Sequence, residues 1–174
     1  MNVQEATTRR LPDLKERHLP ENCRETINTI LKETYGYEQF RNLEIYDDLS
    51  KGKEKLCISQ GQLIENVILE AEKAWKGETQ VDNILLTAPT GSGKSLLFQL
   101  PAIYLGKEYN LLTIVVSPLK ALIVDQVESL QELGYTRVAY ASSDLSPEQK
   151  MEVYRQVREG EIDLFYLSPE LLLS

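Results

Sequence analysis

The sequence is poor in cysteine, in long apolar runs and in positive charge. Its two cysteines, Cys23 and Cys57, form neither a CxxC pair nor a zinc-ligand spacing, so we expect two reduced thiols in a cytoplasmic protein. No apolar run is long enough to cross a bilayer, and the polar start MNVQEATTRR does not resemble a signal peptide. These features argue against secretion and against a membrane partner.

The charge balance is acidic. The chain has 19 Lys and Arg against 27 Asp and Glu, a net charge of −8 and a pI near 4.8. This balance argues against a basic domain that coats nucleic acid by charge alone. Contacts from backbone amides, hydroxyl groups and helix N-termini remain compatible with it, because such groups also hold phosphates.

The rest of the composition is that of a folded globular protein, with 42% hydrophobic residues in 174. The chain divides into a polar accessory region at 1–60 and a regular region at 61–174. In the first region, PENCRETINTILKETYGY predicts a helix that ends at Gly36, and the charged stretch DDLSKGKEKL predicts a loop. We expect the first region to be small and helical.

In the second region, short apolar strands alternate with helices. Strands are predicted at 83–88, 111–117, 137–142 and 162–168, and helices at 62–75, 93–105, 119–134 and 146–160. Continuous apolar strands of this kind are typical of an α/β fold with a parallel sheet covered on both faces. Ligands of such sheets bind at the carboxyl ends of the strands. Polar loops follow all four predicted strands there.

The first of these loops, APTGSGKS at 88–95, matches the phosphate-binding pattern with Ala88 in place of the first glycine. Glycines allow the backbone to approach phosphates, and the following helix points its positive end at them. Lys94 is expected to pair with the β- and γ-phosphates of a nucleotide, and the Ser95 hydroxyl to ligate Mg²⁺. The loop residues expected to bind ATP are Ala88, Pro89, Thr90, Gly91, Ser92, Gly93, Lys94 and Ser95. Kinases, switches and motors share such a loop, so it does not name a reaction.

The second loop, SPLK at 117–120, presents a hydroxyl group and a cation where the second strand ends. Both groups suit a phosphodiester backbone. Taken alone, the same residues favour an ordinary helix start at Ser117 or Pro118.

The three runs TAPTGSGKSLLFQLPAIYL, VVSPLKALIVDQVESLQELG and DLFYLSPELLL together resemble the RecQ-like branch of superfamily 2 helicases, over roughly 61–174. The resemblance implies part of a RecA-like motor domain that binds ATP and Mg²⁺, with Lys94 and Ser95 as catalytic residues, and contacts nucleic acid, with single-stranded DNA expected. The residues it places near the strand are Ser117, Lys120, Gln126, Ser142, Ser143, Ser168 and Glu170. Where the family usually has arginine after SPE, this chain has Leu171, which weakens a phosphate clamp there.

The family also carries an adenine-reading glutamine before the phosphate loop, since one amide can donate to and accept from adenine. Gln62 is the better candidate because a helix follows it, and Gln60 is the second. The family's aromatic residue and arginine usually stand just before that glutamine. Here YGYEQFR at 35–41, which includes Arg41, lies much earlier. Either an insertion separates the two halves or the likeness is accidental.

The family's acidic Asp-Glu-Ala-His-type motif, which holds Mg²⁺ and activates water, does not occur in the 174 residues. We therefore expect the front part of a longer helicase, with the remaining helicase domains as partners, that binds nucleotide weakly and hydrolyses none alone. Two alternatives stay open. One is a phosphate-loop kinase or small-molecule NTPase, which needs neither SPLKALIVDQ nor LSPE. The other is a truncated, non-catalytic nucleotide-binding module.

Overall fold

The computed structural model describes residues 19–46, 55–87 and 90–172 of the chain. The elements are α1 (Glu25–Tyr35), β1 (Asn42–Tyr46), β2 (Lys55–Ser59), α2 (Gln60–Trp75), α3 (Leu96–Tyr109), β3 (Thr113–Val116), α4 (Lys120–Glu132), β4 (Val138–Ala141), α5 (Pro147–Arg158), β5 (Leu164–Leu167) and α6 (Pro169–Leu172). Over these described ranges no helix combines the length and the apolar character that a bilayer crossing requires.

A three-stranded parallel sheet in the order β3-β5-β4 organises the second region. Leu164 of β5 pairs with Thr113 of β3 on one side and with Val138 of β4 on the other. All four residues of β5 are buried, as expected for a central strand that is covered on both faces. The predicted α/β class with a parallel sheet is confirmed.

Helices cover the two faces of this sheet. One apolar cluster joins residues of α1, α2, α3 and α4 to Leu164 and Tyr166 of β5. The other joins Phe165 and Leu167 to partly buried residues of α5. Successive side chains of a strand point to opposite faces, so the two clusters lie on opposite sides of the sheet. Helix α1 shares its core with α2 and α3, and the division of the chain at residue 60 stays a prediction.

Several predicted helix ends are confirmed, because the signals that set them are local. Helix α1 ends at Gly36, which has a φ of 69° and donates its N–H to the carbonyl of Lys32. Helix α5 begins after Ser146, which forms a capping box with Gln149. Gly134, with a φ of 85°, follows the end of α4.

The buried face of α2 differs from the predicted one. The helical spacing of apolar residues in the sequence predicts a face of Leu63, Val67, Ala71 and Ala74. In the structure Ile64 and Ile68 are fully buried beside Leu63, whereas Ala74 is exposed. The face is rotated because it also holds two buried carboxylates, Glu65 and Glu72, whose charges are paired inside the molecule.

An antiparallel hairpin, β1–β2, stands between α1 and α2 and was not predicted. Its pairing runs from Asn42 opposite Ser59 to Tyr46 opposite Lys55. The predicted loop DDLSKGKEKL falls largely at 47–54, outside the described residues, and its end forms the start of β2. The two strands lack the short Asn-Gly or Asp-Gly turn that marks most hairpins in a sequence, so no local signal indicated them.

The strand predicted at 83–88 is not formed over its described residues. Residues 83–87 pair with no strand of the described chain, and Leu85 is 71% exposed. A parallel strand with apolar residues on both faces needs a neighbour for its backbone groups and a helix layer over each face. Apolar composition alone was therefore not enough to form a strand, and the prediction of a strand at 83–88 is wrong over the described residues.

An internal charge network fixes the start of α1 against α2 and α3. The guanidinium of Arg24 donates to Glu65 Oε1 at 2.6 Å, to Glu72 Oε1 at 2.6 Å and to the hydroxyl of Tyr104. Its hydrogen bond to Glu72 holds the pKa of that carboxyl below its usual range. Both carboxylates are almost buried, so each depends on this one cation.

We expect Arg24→Gln to lower the free energy of unfolding by about 3 kcal/mol, because it leaves two nearly buried carboxylates without their cation. The thermal midpoint, followed by circular dichroism, should fall by roughly 10 °C. The matched control is Lys32→Gln, which breaks the exposed pair with Glu38 and should cost less than about 1 kcal/mol. Equal midpoints for the two variants would contradict this role of Arg24.

Candidate nucleotide and nucleic-acid site

The phosphate loop leads directly into helix α3. Thr90, Gly91, Gly93 and Lys94 are exposed, and the two glycines have φ values of 80° and 77°. Ser95 is the N-cap of α3, so the positive end of the helix opens onto the loop. Ala88 and Pro89, which were also predicted to bind ATP, lie outside the described residues.

The loop fits a phosphate ligand. Within the described part of the chain, the Ser92 hydroxyl is buried and has no hydrogen-bond partner, so it can take one from a bound group. A Mg²⁺ ion at phosphates usually keeps several waters and takes only one or two protein ligands. The Ser95 hydroxyl at the head of α3 suits that coordination. The described residues contain no group of three or more His, Cys, Asp or Glu side chains that could hold a metal without the nucleotide.

The side chain of Gln60 is hydrogen-bonded to the backbone of this loop. It is 3% exposed, and its Nε2 donates to the carbonyls of Ser92 at 3.1 Å and Gly93 at 3.4 Å. A Cβ at position 93 would lie 2.6 Å from that nitrogen, and the φ of 77° is also one that side chains disfavour. The close contact with the Gln60 amide therefore leaves no room for a side chain at position 93.

The amide of Gln62 is turned away from the loop. Its Oε1 accepts the N–H of Ser59 at 3.0 Å as part of the capping box of α2, and its Nε2 donates to the carbonyl of Pro20 at 3.1 Å. Gln62 must give up these bonds to read an adenine ring. The choice between Gln62 and Gln60 as the adenine-reading residue stays a prediction, and the loop contact belongs to Gln60.

The hairpin brings the end of the YGYEQFR element to the start of α2. Immediately beyond the last pair of the ladder, the N–H of Gln60 donates to the carbonyl of Arg41 at 2.9 Å. The N–H of Arg41 in turn donates to Gln60 Oε1 at 3.1 Å. Phe40 packs so closely on Gly61 that a Cβ there would lie 2.7 Å from its ring. Strand pairing thus places the end of the YGYEQFR element beside Gln60, and the choice between an insertion and an accidental likeness stays a prediction.

The second part of the site is the carboxyl edge of the sheet. Val116, Leu167 and Ala141 lie opposite one another at the strand ends. The next residues are Ser117, Ser168 and Ser142, and further hydrogen bonds hold this level, from Ser117 N to the Leu167 carbonyl and from Ser168 N to the Ala141 carbonyl. The register therefore places three of the predicted serines side by side.

Burial separates the predicted strand-binding residues into two groups. Ser168 is 0% and Ser142 is 3% exposed, so both support the edge from inside. Gln126 is half-buried, and its Oε1 accepts a hydrogen bond from Gln99. Ser117 and Lys120 are half-buried as well, and Ser143 and Glu170 are exposed.

Lys120 links two of the loops and is held by a carboxylate that the sequence analysis did not identify. Its Nζ donates to Ser143 Oγ and, at 2.8 Å, to Asp144 Oδ1. The bond to Lys120 lowers the pKa of Asp144. The pKa of Glu170 is also lowered, chiefly by its own backbone N–H. Asp144, ionised at neutral pH, would therefore compete with a bound anion for Lys120.

Two further polar residues of the site were missed. Gln99 is 4% exposed within the apolar run LLFQLPAIYL, and a lone amide in such a run is a signal for an internal hydrogen-bonding role. Asp144 follows the predicted Ser143 directly, but an aspartate in a polar loop has no distinguishing sequence signal. Its role depends on the approach of Lys120 from another loop.

Residues 60–174 match the DEAD/DEAH box helicase family. The chain is 34% identical over 151 residues to the "ATP-dependent DNA helicase RecQ" of Synechocystis, covering 87% of this chain and 25% of that protein. The proteins of the same name from Haemophilus influenzae and Bacillus subtilis are 31% and 32% identical, over 86% and 84% of this chain and 19% and 20% of their own lengths. The chain thus spans about a quarter or less of these relatives.

The matched region begins at Gln60 and contains the phosphate loop, the carboxyl edge of the sheet and the buried Gln99. The match therefore covers every part of the site except the YGYEQFR element. The last residue of that element, Arg41, is hydrogen-bonded to Gln60, the first residue of the match. The chain belongs to the DEAD/DEAH box helicase family, and its resemblance to RecQ-like members is confirmed.

Proposed function

We propose that the chain is the ATP-binding part of an ATP-dependent DNA helicase or translocase. The observation that carries the proposal is the presence of a phosphate loop, held by Gln60, and a polar strand edge centred on Lys120 on elements that share one hydrophobic core. The curated relatives are named as ATP-dependent DNA helicases, which supports ATP and DNA as the two ligands. A kinase has no use for the second half of this site.

In this proposal, Lys94 pairs with the β- and γ-phosphates, and the loop N–H groups and the α3 N-terminus hold the remaining charge. The Ser95 hydroxyl takes one position on Mg²⁺, which offsets phosphate charge when it is bound. Gln62, or Gln60 in its place, reads the adenine edge beside the YGYEQFR element.

The nucleic-acid strand, single-stranded DNA in the proposal, lies along the carboxyl edge. Ser117 and Ser143 offer hydroxyl groups and Lys120 a cation to its phosphates, while Ser142 and Ser168 support the edge from below. Gln126 and Glu170 flank this surface. In the longer protein, nucleotide binding and hydrolysis would move this edge along the strand. The 174 residues lack the acidic motif that activates water, so the chain alone binds nucleotide without turnover.

The nucleotide proposal is tested with Lys94→Ala. We expect affinity for a fluorescent ATP analogue with Mg²⁺ to fall at least roughly tenfold, equivalent to about 1.4 kcal/mol, because a cation is removed from the phosphates. Lys107→Ala is the matched control, since it removes an exposed lysine at the other end of α3. Equal affinities for Lys94→Ala, Lys107→Ala and the unaltered chain would overturn the nucleotide site.

The role of Gln60 is tested by comparing ATP with GTP. Gln60→Ala removes hydrogen bonds to loop carbonyls, so it should weaken both nucleotides by a similar factor, several-fold for about 1 kcal/mol. Gln62→Ala is the parallel variant, and it should reduce the preference for ATP over GTP if Gln62 reads adenine. A loss confined to ATP in Gln60→Ala would instead give the base-reading role to Gln60.

The strand edge is tested by changing Asp144, the carboxylate partner of Lys120, and then Lys120 itself. Asp144→Asn should raise the affinity for a single-stranded DNA oligonucleotide several-fold, because a competing carboxylate is removed. Lys120→Ala should lower it and reduce the slope of log K against log salt by about one. Asp125→Asn is the charge-matched control, since Asp125 is exposed on α4. DNA binding that none of these variants alters would place the strand elsewhere.

A further inference from the structure

A buried glutamine amide joins four elements at the centre of the domain. Gln99 Oε1 accepts the hydroxyl of Tyr35 at 3.0 Å, at the end of α1. Its Nε2 donates to Gln126 Oε1 of α4 at 3.0 Å and to the hydroxyl of Tyr166 of β5 at 3.1 Å. Both N–H groups and the oxygen of this amide are therefore used, which is the arrangement expected of a specific polar contact in an apolar core.

The surroundings make these bonds directional and strong. Gln99 is 4% exposed, and burial raises the pKa of both tyrosines, Tyr35 and Tyr166, so their hydroxyl groups stay neutral donors and acceptors. An unsatisfied amide group here would cost about 1–3 kcal/mol. Gln99 and its three partners therefore have a single favoured arrangement, in which a shift of one element requires an adjustment of the others.

Gln99 lies between the phosphate loop and α4. On one side, the N–H of Gln99 donates to the carbonyl of Ser95, so Gln99 belongs to the first turn of α3 beyond the phosphate loop. On the other side, Gln126 lies on α4, the helix that begins at Lys120. The amide contact is a direct link, through two side chains, between the loop helix and the helix that carries the strand-edge lysine.

We infer that Gln99 is a positioning residue that transmits the occupancy of the phosphate loop to α4, and through it to Lys120 at the strand edge. The inference rests on the proposed function, because it needs a nucleotide at the loop. A ligand that fixes the head of α3 fixes the Gln99 amide, and the amide then holds Gln126 and restrains α4. The effect is a coupling free energy between two sites, which must act in both directions.

Hydrogen–deuterium exchange of the intact chain, with and without a non-hydrolysable ATP analogue and Mg²⁺, tests this. In the unaltered protein, exchange should slow both in the loop at 90–97 and in α4 at 120–132, by roughly fivefold or more in α4. Gln99→Met keeps the length of the side chain and removes the three hydrogen bonds. In that variant the loop should still be protected on binding, and α4 should lose its additional protection.

Gln126→Met removes the same link from the other side, at a half-buried position where folding is less at risk, and should give the same result. Gln131→Met, on the exposed side of α4, is the matched control and should behave like the unaltered chain. Loop protection with unchanged α4 in the unaltered protein, or α4 protection that survives in Gln99→Met or Gln126→Met, overturns the inference and leaves nucleotide binding intact. Absence of loop protection in the unaltered chain overturns the proposed function, and the inference with it.

Discussion

The shared end point of three parallel strands is the constraint on which the rest of this site depends. Hydrogen bonding in a parallel sheet fixes the level at which each strand stops, and here Val116, Leu167 and Ala141 stop together. Segments that are distant in sequence therefore deliver their first loop residues to one place. Ser168 and Ser142, the first residues after β5 and β4, are both buried at this level, whereas Ser143, one residue further on, is exposed.

The hairpin places two segments that are separated in sequence beside each other at the phosphate loop. Because antiparallel pairing returns the chain to its starting point, the residues on either side of β1–β2 become neighbours again. Arg41 and Gln60 make two hydrogen bonds across that junction, one of them through the Gln60 side chain. The same amide reaches the phosphate loop, so the base of the hairpin and the loop share one buried group.

The sequence predicted best where structure is set locally. Gly36 and the Ser146–Gln149 capping box determine helix ends through contacts within a few residues, and the glycine pattern of the phosphate loop determines its conformation in the same way. The strand predicted at 83–88 failed because apolar composition does not supply the neighbour that a strand requires. The roles of Gln99 and Asp144 could not be predicted, because each depends on partners from other elements.

The acidic balance of the chain constrains how it can hold a nucleic-acid strand. Each phosphate contact from a cation releases about one counterion, and tight binding by charge needs many such contacts. At this edge Lys120 is shared with Asp144, so the charge available to a phosphodiester is small. In the proposed function, affinity then comes from hydroxyl and backbone groups, which act only at hydrogen-bonding distance and in a narrow range of directions. We expect such binding to respond strongly to small displacements of the loops that carry Ser117 and Ser143, because a shift that Coulomb attraction would tolerate is enough to break a hydrogen bond.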